Sequence, residues 1–477
     1  MEIELSVPLV VDLDGTLTRT DTLYESVAKL AAREPLAAAS SLLVLARRGL
    51  AAFKRHVAQR CMPNPSSLPF RRELVDLVTQ EKARGRGIHL VTASDQAVAD
   101  AVAAQLGVFD SATGSDGVHN LKGEAKLAYV RDRFPGGFIY AGDADADLPL
   151  FRAARGVILC DVSRGTAAAV VAAGVPVVAS LDARAKRIPA FLRALRMHQW
   201  SKNLLMFVPL FVGHAYGDPA KILAIALGFL ALCAVASATY MINDLADLEA
   251  DRHHPTKRRR PFASGELPIA VGMIAPPLMI LGAFIGAYLL APAFAATLLI
   301  YVLLTTTYSL AFKRIALFDV FVIGVLFTLR IVMGVQVIDL AQSPWLLSFA
   351  LAFFLSLALA KRHGEVLRAA RVDAEEIAGR GYRGDDWPIT LSFGVGIGIM
   401  SILIMLLYLT NDAAPSGFYR AADWLYAIPA LISLWLMRIW LLSQRLELHD
   451  DPVVFALKDR ASLLLGLATA VVFWIAH

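Results

Sequence analysis

From Leu267 to Phe312 the chain carries no Asp, Glu, Lys or Arg. A run of that length is long enough for two bilayer-crossing helices at roughly 20 residues each. The whole chain of 477 residues is 57% hydrophobic and 18% charged, too apolar for an ordinary soluble protein and too long for one compact domain. The apolar excess is uneven, because residues 1 to 200 mix charges with short apolar runs. About nine spans are expected, near 202–217, 222–243, 268–288, 291–311, 316–337, 344–360, 389–410, 423–441 and 461–476.

The formal charge of +5 would suit nucleic acid, but the position of the charges argues otherwise. No basic region followed by an apolar core opens the chain, so the first domain is expected in the cytoplasm. Loops and helix ends on that side then hold Arg252, Lys257 to Arg260, Lys313, Arg314, Lys361, Arg362, Arg368, Arg371, Arg380, Arg383, Arg438, Arg445, Lys458 and Arg460. Opposite loops hold only Lys221 and Arg420, and the C-terminus falls outside. The basic balance therefore reports topology and phosphate sites, with no nucleic-acid partner. Cys61, Cys160 and Cys233 lie far apart without a CxxC and read as buried small hydrophobes.

Within the first part, Leu9 to Leu13, Ile88 to Thr92, Phe138 to Gly142 and Val157 to Cys160 are short apolar runs separated by helix-like stretches. They predict a parallel α/β sheet with function at the strand C-termini. Leu23 to Arg60 reads as a helical insertion, and its apolar run Pro35 to Ala46 is too short to span, which favours a cap over the site. Arg184 to Trp200 reads as a linker followed by an interfacial helix. The expected division is 1–182 for the α/β domain with its cap at about 23–80, 183–200 for the linker, and 201–477 for an all-α membrane domain.

Asp12 and Asp14, in Asp12-Leu13-Asp14-Gly15-Thr16, sit two apart after an apolar strand, so both carboxylates can leave its end toward one region while Gly15 permits a tight turn. Such a motif alone could be a turn. Thr92 after another strand, Lys126 in Gly123-Glu124-Ala125-Lys126, and Gly142-Asp143-Ala144-Asp145-Ala146-Asp147 after a third add a hydroxyl, an ammonium and further carboxylates. These suit phosphate oxygens and magnesium. Ser94 competes with Thr92 for the hydroxyl role.

In this order and spacing the four elements resemble the haloacid dehalogenase phosphatase superfamily, phosphoserine-phosphatase-like branch, over roughly residues 7 to 180. The resemblance implies a Rossmann-like fold with a helical cap. It also implies Asp12 as nucleophile, Asp14 as general acid and base, and Thr92 and Lys126 on the phosphate. Asp12, Asp143 and the Asp14 backbone carbonyl would ligate Mg²⁺, and Asp147 would support that shell.

Asn243, Asp247 and Asp251 recur every four residues, with Asp244 beside the first, so on a helix they line one face. A polar helix end entering solvent would look the same, but carboxylates on one stripe repel and favour a divalent cation at the mouth of a span. The cation could bridge to a diphosphate and neutralise a departing charge. The following Lys257-Arg258-Arg259-Arg260 is either a positive-inside anchor or a phosphate clamp. Arg330, inside the fifth expected span, either pairs with Asp319 or meets substrate.

The NDxxDxxxD pattern, the later Arg-Pro, and Tyr308 with Lys313 resemble the UbiA superfamily of intramembrane transferases over about residues 190 to 477. Where an isoprenyl-diphosphate enzyme would carry a second DxxxD, this chain has Lys361-Arg362-His363-Gly364-Glu365 and then Arg380-Gly381-Tyr382. That departure, with Gln199-Trp200-Ser201-Lys202-Asn203, His254-Pro255-Thr256-Lys257 and Phe327-Thr328-Leu329-Arg330, is similar to the polyprenyl-phosphate phosphoribosyltransferase branch. The resemblance implies phosphoribosyl diphosphate as donor and a polyprenyl phosphate lipid as acceptor. Asn243, Asp244, Asp247 and Asp251 would hold metal and diphosphate, Lys257, Arg258, Arg260, Lys361 and Arg362 the other phosphates, and Tyr308 and Lys313 the mouth.

Joined in one chain, the two parts predict transfer of phosphoribose to the lipid followed by removal of the 5-phosphate, with Mg²⁺ in both domains and both sites on the cytoplasmic face of a bacterial inner membrane. An isoprenyl-diphosphate transferase with an unrelated phosphatase, and a transporter or scaffold regulated by phosphate binding, are the competing readings.

Overall fold

The computed structural model describes residues 4–181, 187–371, 377, 380–448 and 452–477. Residues 182–186, which hold the expected boundary at 182 and the first part of the linker expected over 183–200, lie outside the described residues. The chain divides into two compact units. One comprises Met1–Arg196 with Ser237–Leu278, and the other Met197–Ala236 with Met279–His477.

The first unit is built on six parallel strands: β1 (Leu9–Val11), β2 (Ile88–Asp95), β3 (Ser111–Ser115), β4 (Ile139–Gly142), β5 (Gly156–Cys160) and β6 (Val177–Leu181). Their order is β3-β2-β1-β4-β5-β6, with Leu9 paired to Ile88 on one side and to Ile139 on the other. The chain leaves β1 in one direction and returns in the other at β4, so the crevice at the end of β1 is a switch point where open α/β sheets bind ligands. The central strands are buried on both faces, which is why they read as near-continuous apolar runs. β3, with the sequence SATGS, and the largely exposed edge strand β6 were not expected from the apolar pattern.

Between β1 and β2 lie three helices, Thr22–Arg33, Pro35–Arg60 and Arg72–Ala83. The first two pack on one another through Leu30, Phe53, Val57 and Cys61. The third joins the sheet core through Leu74 and Val78. The cap helix Pro35–Arg60 is longer than its apolar run suggested and is broken at Gly49, where φ is 80°.

Eight helices among the described residues are long and apolar enough to cross a membrane. One is Pro35–Arg60, and the other seven begin at Pro219, Ile269, Pro292, Phe318, Pro344, Gly384 and Ala422. Arg460–Ala476, the last expected span, is a shorter apolar helix. The expected first span, 202–217, is not a single helix. A tight three-residue-per-turn segment, Met197–Phe207, is followed by the short helix Val208–Val212. In the second unit this segment packs on Phe318–Val337, where a Cβ on Gly334 would stand 2.1 Å from the Met206 carbonyl oxygen. A glycine is what allows so close a backbone approach.

Candidate active sites

The end of β1 delivers the first acidic pair. Asp12 is buried, and its Oδ1 accepts a hydrogen bond from Leu13 N at 2.8 Å. The backbone then turns sharply through Asp14 (φ −72°, ψ 125°) and Gly15 (φ 75°). A Cβ at Gly15 would stand 2.1 Å from Asp143 Oδ2, so glycine is required here both by its positive φ and by the carboxylate beside it.

Asp143 follows β4, and Asp147 begins the next helix. Carboxylate oxygens of Asp12, Asp143 and Asp147 all lie within 4.8 Å of one another. Lys126 Nζ sits 2.9 Å from Asp12 Oδ1 and 3.7 Å from Asp147 Oδ1, and donates to Tyr140 Oη at 3.0 Å. One ammonium does not balance three carboxylates. Burial, then the charges of Asp12 and Asp147, push Asp143 up to about 8. Burial likewise pushes Asp12 up to about 6, although Lys126 pulls the other way. The excess negative charge and the all-oxygen donor set fit a hard divalent cation such as Mg²⁺. The Asp14 carboxylate stands outside this trio, so its expected share in the metal shell rests on its backbone carbonyl.

The Asp14 side chain accepts from Thr22 N at 2.8 Å and from the Ser94 hydroxyl, which also bonds Thr22 Oγ1 at 2.7 Å. Ser94 is thereby committed to Asp14. Thr92 Oγ1 accepts from Ser94 N at 3.1 Å and keeps its own proton to donate, which favours Thr92 for the phosphate-binding hydroxyl. Burial and the charge of Asp21 raise Asp14 to about 6, a suitable value for a proton donor near neutrality.

These groups line a cavity of about 350 Å³. Its wall includes residues not singled out from the sequence: Arg19, Asp21, Tyr24, Lys54, Lys122 and Arg187. Lys54 reaches in from the cap, donating to Ala93 O at 2.6 Å and Asn120 Oδ1 at 3.0 Å. No periodicity marks it, because only the folding of the cap over the sheet brings it to the site. Pro268, Ile269 and Ala270 complete the wall, and Ile269 starts a helix long and apolar enough to cross a membrane.

The second acidic motif occupies the end of the helix Pro219–Ala246 and the short helix Leu248–His253, joined through Asp247. The four-residue register survives the break, since Asp247 N bonds Asn243 O and Asp251 N bonds Asp247 O. Asp244 and Asp251 are buried and Asp247 is exposed. Arg260 Nη1 lies 2.6 Å from Asp251 Oδ2 and 3.1 Å from Asp244 Oδ1, and Arg196 also donates to Asp244. Arg196, at φ 51°, lays its guanidinium 4.9 Å from the ring of Tyr240. It was missed in the sequence, although Tyr240 and Asp244 sit one turn apart on a shared face. Among the described residues a metal-ligand group converges only at Asp12, Asp143 and Asp147, and in this second motif Asp244 and Asp251 are held by arginines while Asp247 stays exposed. Lys257 and Arg258 lie exposed in a single turn.

In the second unit Asp319 is fully buried and is not the partner of Arg330. It pairs with Arg362 at 2.7 Å and Arg380 at 3.5 Å, and accepts from Tyr382 Oη at 2.6 Å. Arg362 also meets Glu365, and Arg380 donates to Tyr308 Oη at 3.1 Å. Arg330 instead donates to Asn203 Oδ1 at 3.0 Å, Tyr301 Oη at 2.9 Å and the Leu326 carbonyl. The pairing fails because two other cations already surround Asp319. Lys361 is exposed, and Lys313 sits in the turn Phe312–Arg314.

Comparison with known proteins supplies the families. The profile of the UbiA prenyltransferase family matches residues 204–474, and that of haloacid dehalogenase-like hydrolases matches residues 9–152. An uncharacterized protein, y4nM of Sinorhizobium fredii, is 45% identical across 98% of this chain and 90% of its own length. Nodulation protein NoeC of Azorhizobium caulinodans is 32% identical across 61% of this chain and 95% of its own. Decaprenyl-phosphate phosphoribosyltransferase of Corynebacterium glutamicum is 36% identical across 39% of this chain and 57% of its own.

Proposed function

Since the chain belongs to the UbiA prenyltransferase family through residues 204–474 and carries a haloacid dehalogenase-like hydrolase domain over residues 9–152, it is an integral membrane enzyme with a transferase and a phosphatase part, and we propose that the two act in sequence on one lipid. The transferase part moves phosphoribose from phosphoribosyl diphosphate to a polyprenyl phosphate, and the phosphatase part removes the 5-phosphate. Polyprenyl-phosphoryl-ribose results, a donor for glycan synthesis.

The observation that carries this reading is the wall of the phosphatase cavity. A pocket for a soluble phosphoester has no need of Pro268, Ile269 and Ala270 at the head of a membrane-crossing helix. A phosphoester whose leaving group is tethered to a lipid would be delivered beside that helix. The similarity to decaprenyl-phosphate phosphoribosyltransferases and the exposed Lys361, where a second acidic motif would stand, support the donor and acceptor, while Arg362 is taken up by Asp319 and Glu365.

In the transfer step an oxygen of the lipid phosphate attacks the anomeric carbon and the diphosphate departs. Asn243, Asp244, Asp247 and Asp251 are the residues suited to hold metal and diphosphate. Arg196 and Arg260, now on Asp244 and Asp251, would turn to the anionic donor. In the hydrolytic step Asp12 attacks phosphorus, Asp14 protonates the departing sugar oxygen, and Asp14 then takes a proton from the water that cleaves the aspartyl phosphate. Thr92 and Lys126 hold the phosphoryl oxygens. Mg²⁺ held by Asp12, Asp143 and Asp147 would supply charge neutralisation there.

Mass spectrometry of lipid products made from polyprenyl phosphate, phosphoribosyl diphosphate and Mg²⁺ tests the order. Wild type should yield the dephosphorylated lipid and Asp12→Asn the 5-phosphorylated one. Accumulation of the 5-phosphorylated lipid by wild type that still cleaves other phosphoesters would sink the coupling, and product formed only from geranyl diphosphate would sink the donor.

A further inference from the structure

The cap helix Pro35–Arg60 has the hydropathy of a membrane span, yet only 17% of its apolar window is buried. Leu36 is 86% exposed, and Leu42, Leu43, Leu45 and Leu50 also face out. Crossing the bilayer is barred by the sheet. The helix lies in the connection from β1 to β2, and those strands pair directly, Leu9 with Ile88, so both ends of the insertion must stay on one side. A single passage through the membrane would put them on opposite sides.

The cap is tied to the end of a helix long and apolar enough to cross a membrane. Glu249, just beyond the end of the span Pro219–Ala246, takes Lys29 Nζ at 2.6 Å and the backbone N of Asn64 at 3.1 Å. Lys29 is near the end of the helix that leads into Pro35, and Asn64 follows its far end at Arg60. A second tie joins Arg252 Nη1 to Glu25 Oε2 at 3.0 Å. The root of the cap is thus fastened to the segment that follows a candidate membrane-crossing helix.

Charge matches as well. Past the exposed leucines, Arg47, Arg48, Arg55 and His56 line a groove of about 480 Å³ with Leu43 and Val44. Gly49 breaks the helix between the leucine-rich arm and the rest of this groove. We propose that the arm Pro35–Arg48 lies in the headgroup layer of the same membrane, its leucines among acyl chains and its arginines on anionic lipid phosphates. An apolar face beside basic residues is the composition of interfacial helices, and long cationic side chains reach from such a face to the headgroups.

The proposal is independent of the lipid substrate, and its test reads depth rather than turnover. Full-length Leu43→Cys, labelled with an environment-sensitive fluorophore, is placed in nanodiscs of phosphatidylcholine with and without phosphatidylglycerol. The native cysteines are buried, and unlabelled background is read from wild type. Blue-shifted emission quenched by doxyl-labelled lipid is expected, stronger with phosphatidylglycerol and weaker when Arg47→Glu and Arg48→Glu are added. A label at exposed Asp132→Cys should show neither. Emission at position 43 matching that at 132 in both lipids overturns the proposal, as does cross-linking of two copies through Leu43→Cys without lipid quenching. Quenching indifferent to phosphatidylglycerol and to the glutamate pair overturns the anionic-headgroup part.

Discussion

Arg260 stands between Asp244 and Asp251, within 3.1 Å of one and 2.6 Å of the other. A guanidinium in that place makes the acidic motif tolerable before substrate arrives, because buried carboxylates on one stripe repel. Replacing Arg260 with Gln should lower phosphoribosyl transfer by roughly 10²-fold, the scale for losing one charge-stabilising donor. Cleavage of a soluble phosphoester by the same protein should change little. Parallel assays of the two reactions check this, and equal loss of both would indicate misfolding instead.

Lys126 meets Asp12 at 2.9 Å, deep in the phosphatase cavity. Lys126→Met should abolish measurable phosphatase activity while leaving transfer, so the 5-phosphorylated lipid should accumulate in product spectra. Normal dephosphorylation would remove Lys126 from the site.

Asp143 lies up at about 8 and Asp12 at about 6, above the ordinary carboxylate range. Without metal the folded protein therefore binds protons that the unfolded chain has released, and its stability falls as pH rises from about 4 toward 8. Metal binding must expel those protons. Titration calorimetry in buffers of different ionisation enthalpy should show proton release with Mg²⁺ at pH 7 and tighter binding at pH 8 than at pH 6. Affinity flat across that range would contradict the assignment.

Asp319 is buried among Arg362, Arg380 and Tyr382. Asp319→Ala leaves Arg362 and Arg380 to share the partly exposed Glu365 and should cost about 3 kcal/mol, the lower end of the scale for breaking a buried pair. Thermal unfolding in detergent should show a clear drop, partly restored by adding Arg362→Met. No drop would mean that solvent already reaches the pair.

Gly15→Ala needs a Cβ where Asp143 Oδ2 stands 2.1 Å away and a positive φ that alanine resists. The variant should fold and retain transfer but lose phosphatase activity and the Mg²⁺ heat signal. Retained hydrolysis would show that the turn can relax.

The central strands were legible because burial on both faces leaves an uninterrupted apolar code, and Asp12, Thr92 and Asp143 were placed by standing at the ends of those runs. β3 and β6, at the sheet edges, lack that code and were not. The spans from Pro219 onward followed from hydropathy alone. At 202–217 a similar hydropathy conceals a tight-turned segment, because Gly334 invites close backbone packing that no composition reveals. Lys54, Lys122 and Arg196 reach their sites through tertiary folding, and the choice of Arg362 and Arg380 over Arg330 as partners of Asp319 is likewise a matter of packing.

The phosphatase cavity borrows Pro268, Ile269 and Ala270, and the cap borrows Glu249 and Arg252, from sequence that lies far beyond the sheet. A polypeptide cut after β6 would therefore be missing masonry as well as a tether. A phosphatase half separated at that point would need a replacement wall before its cavity closed again.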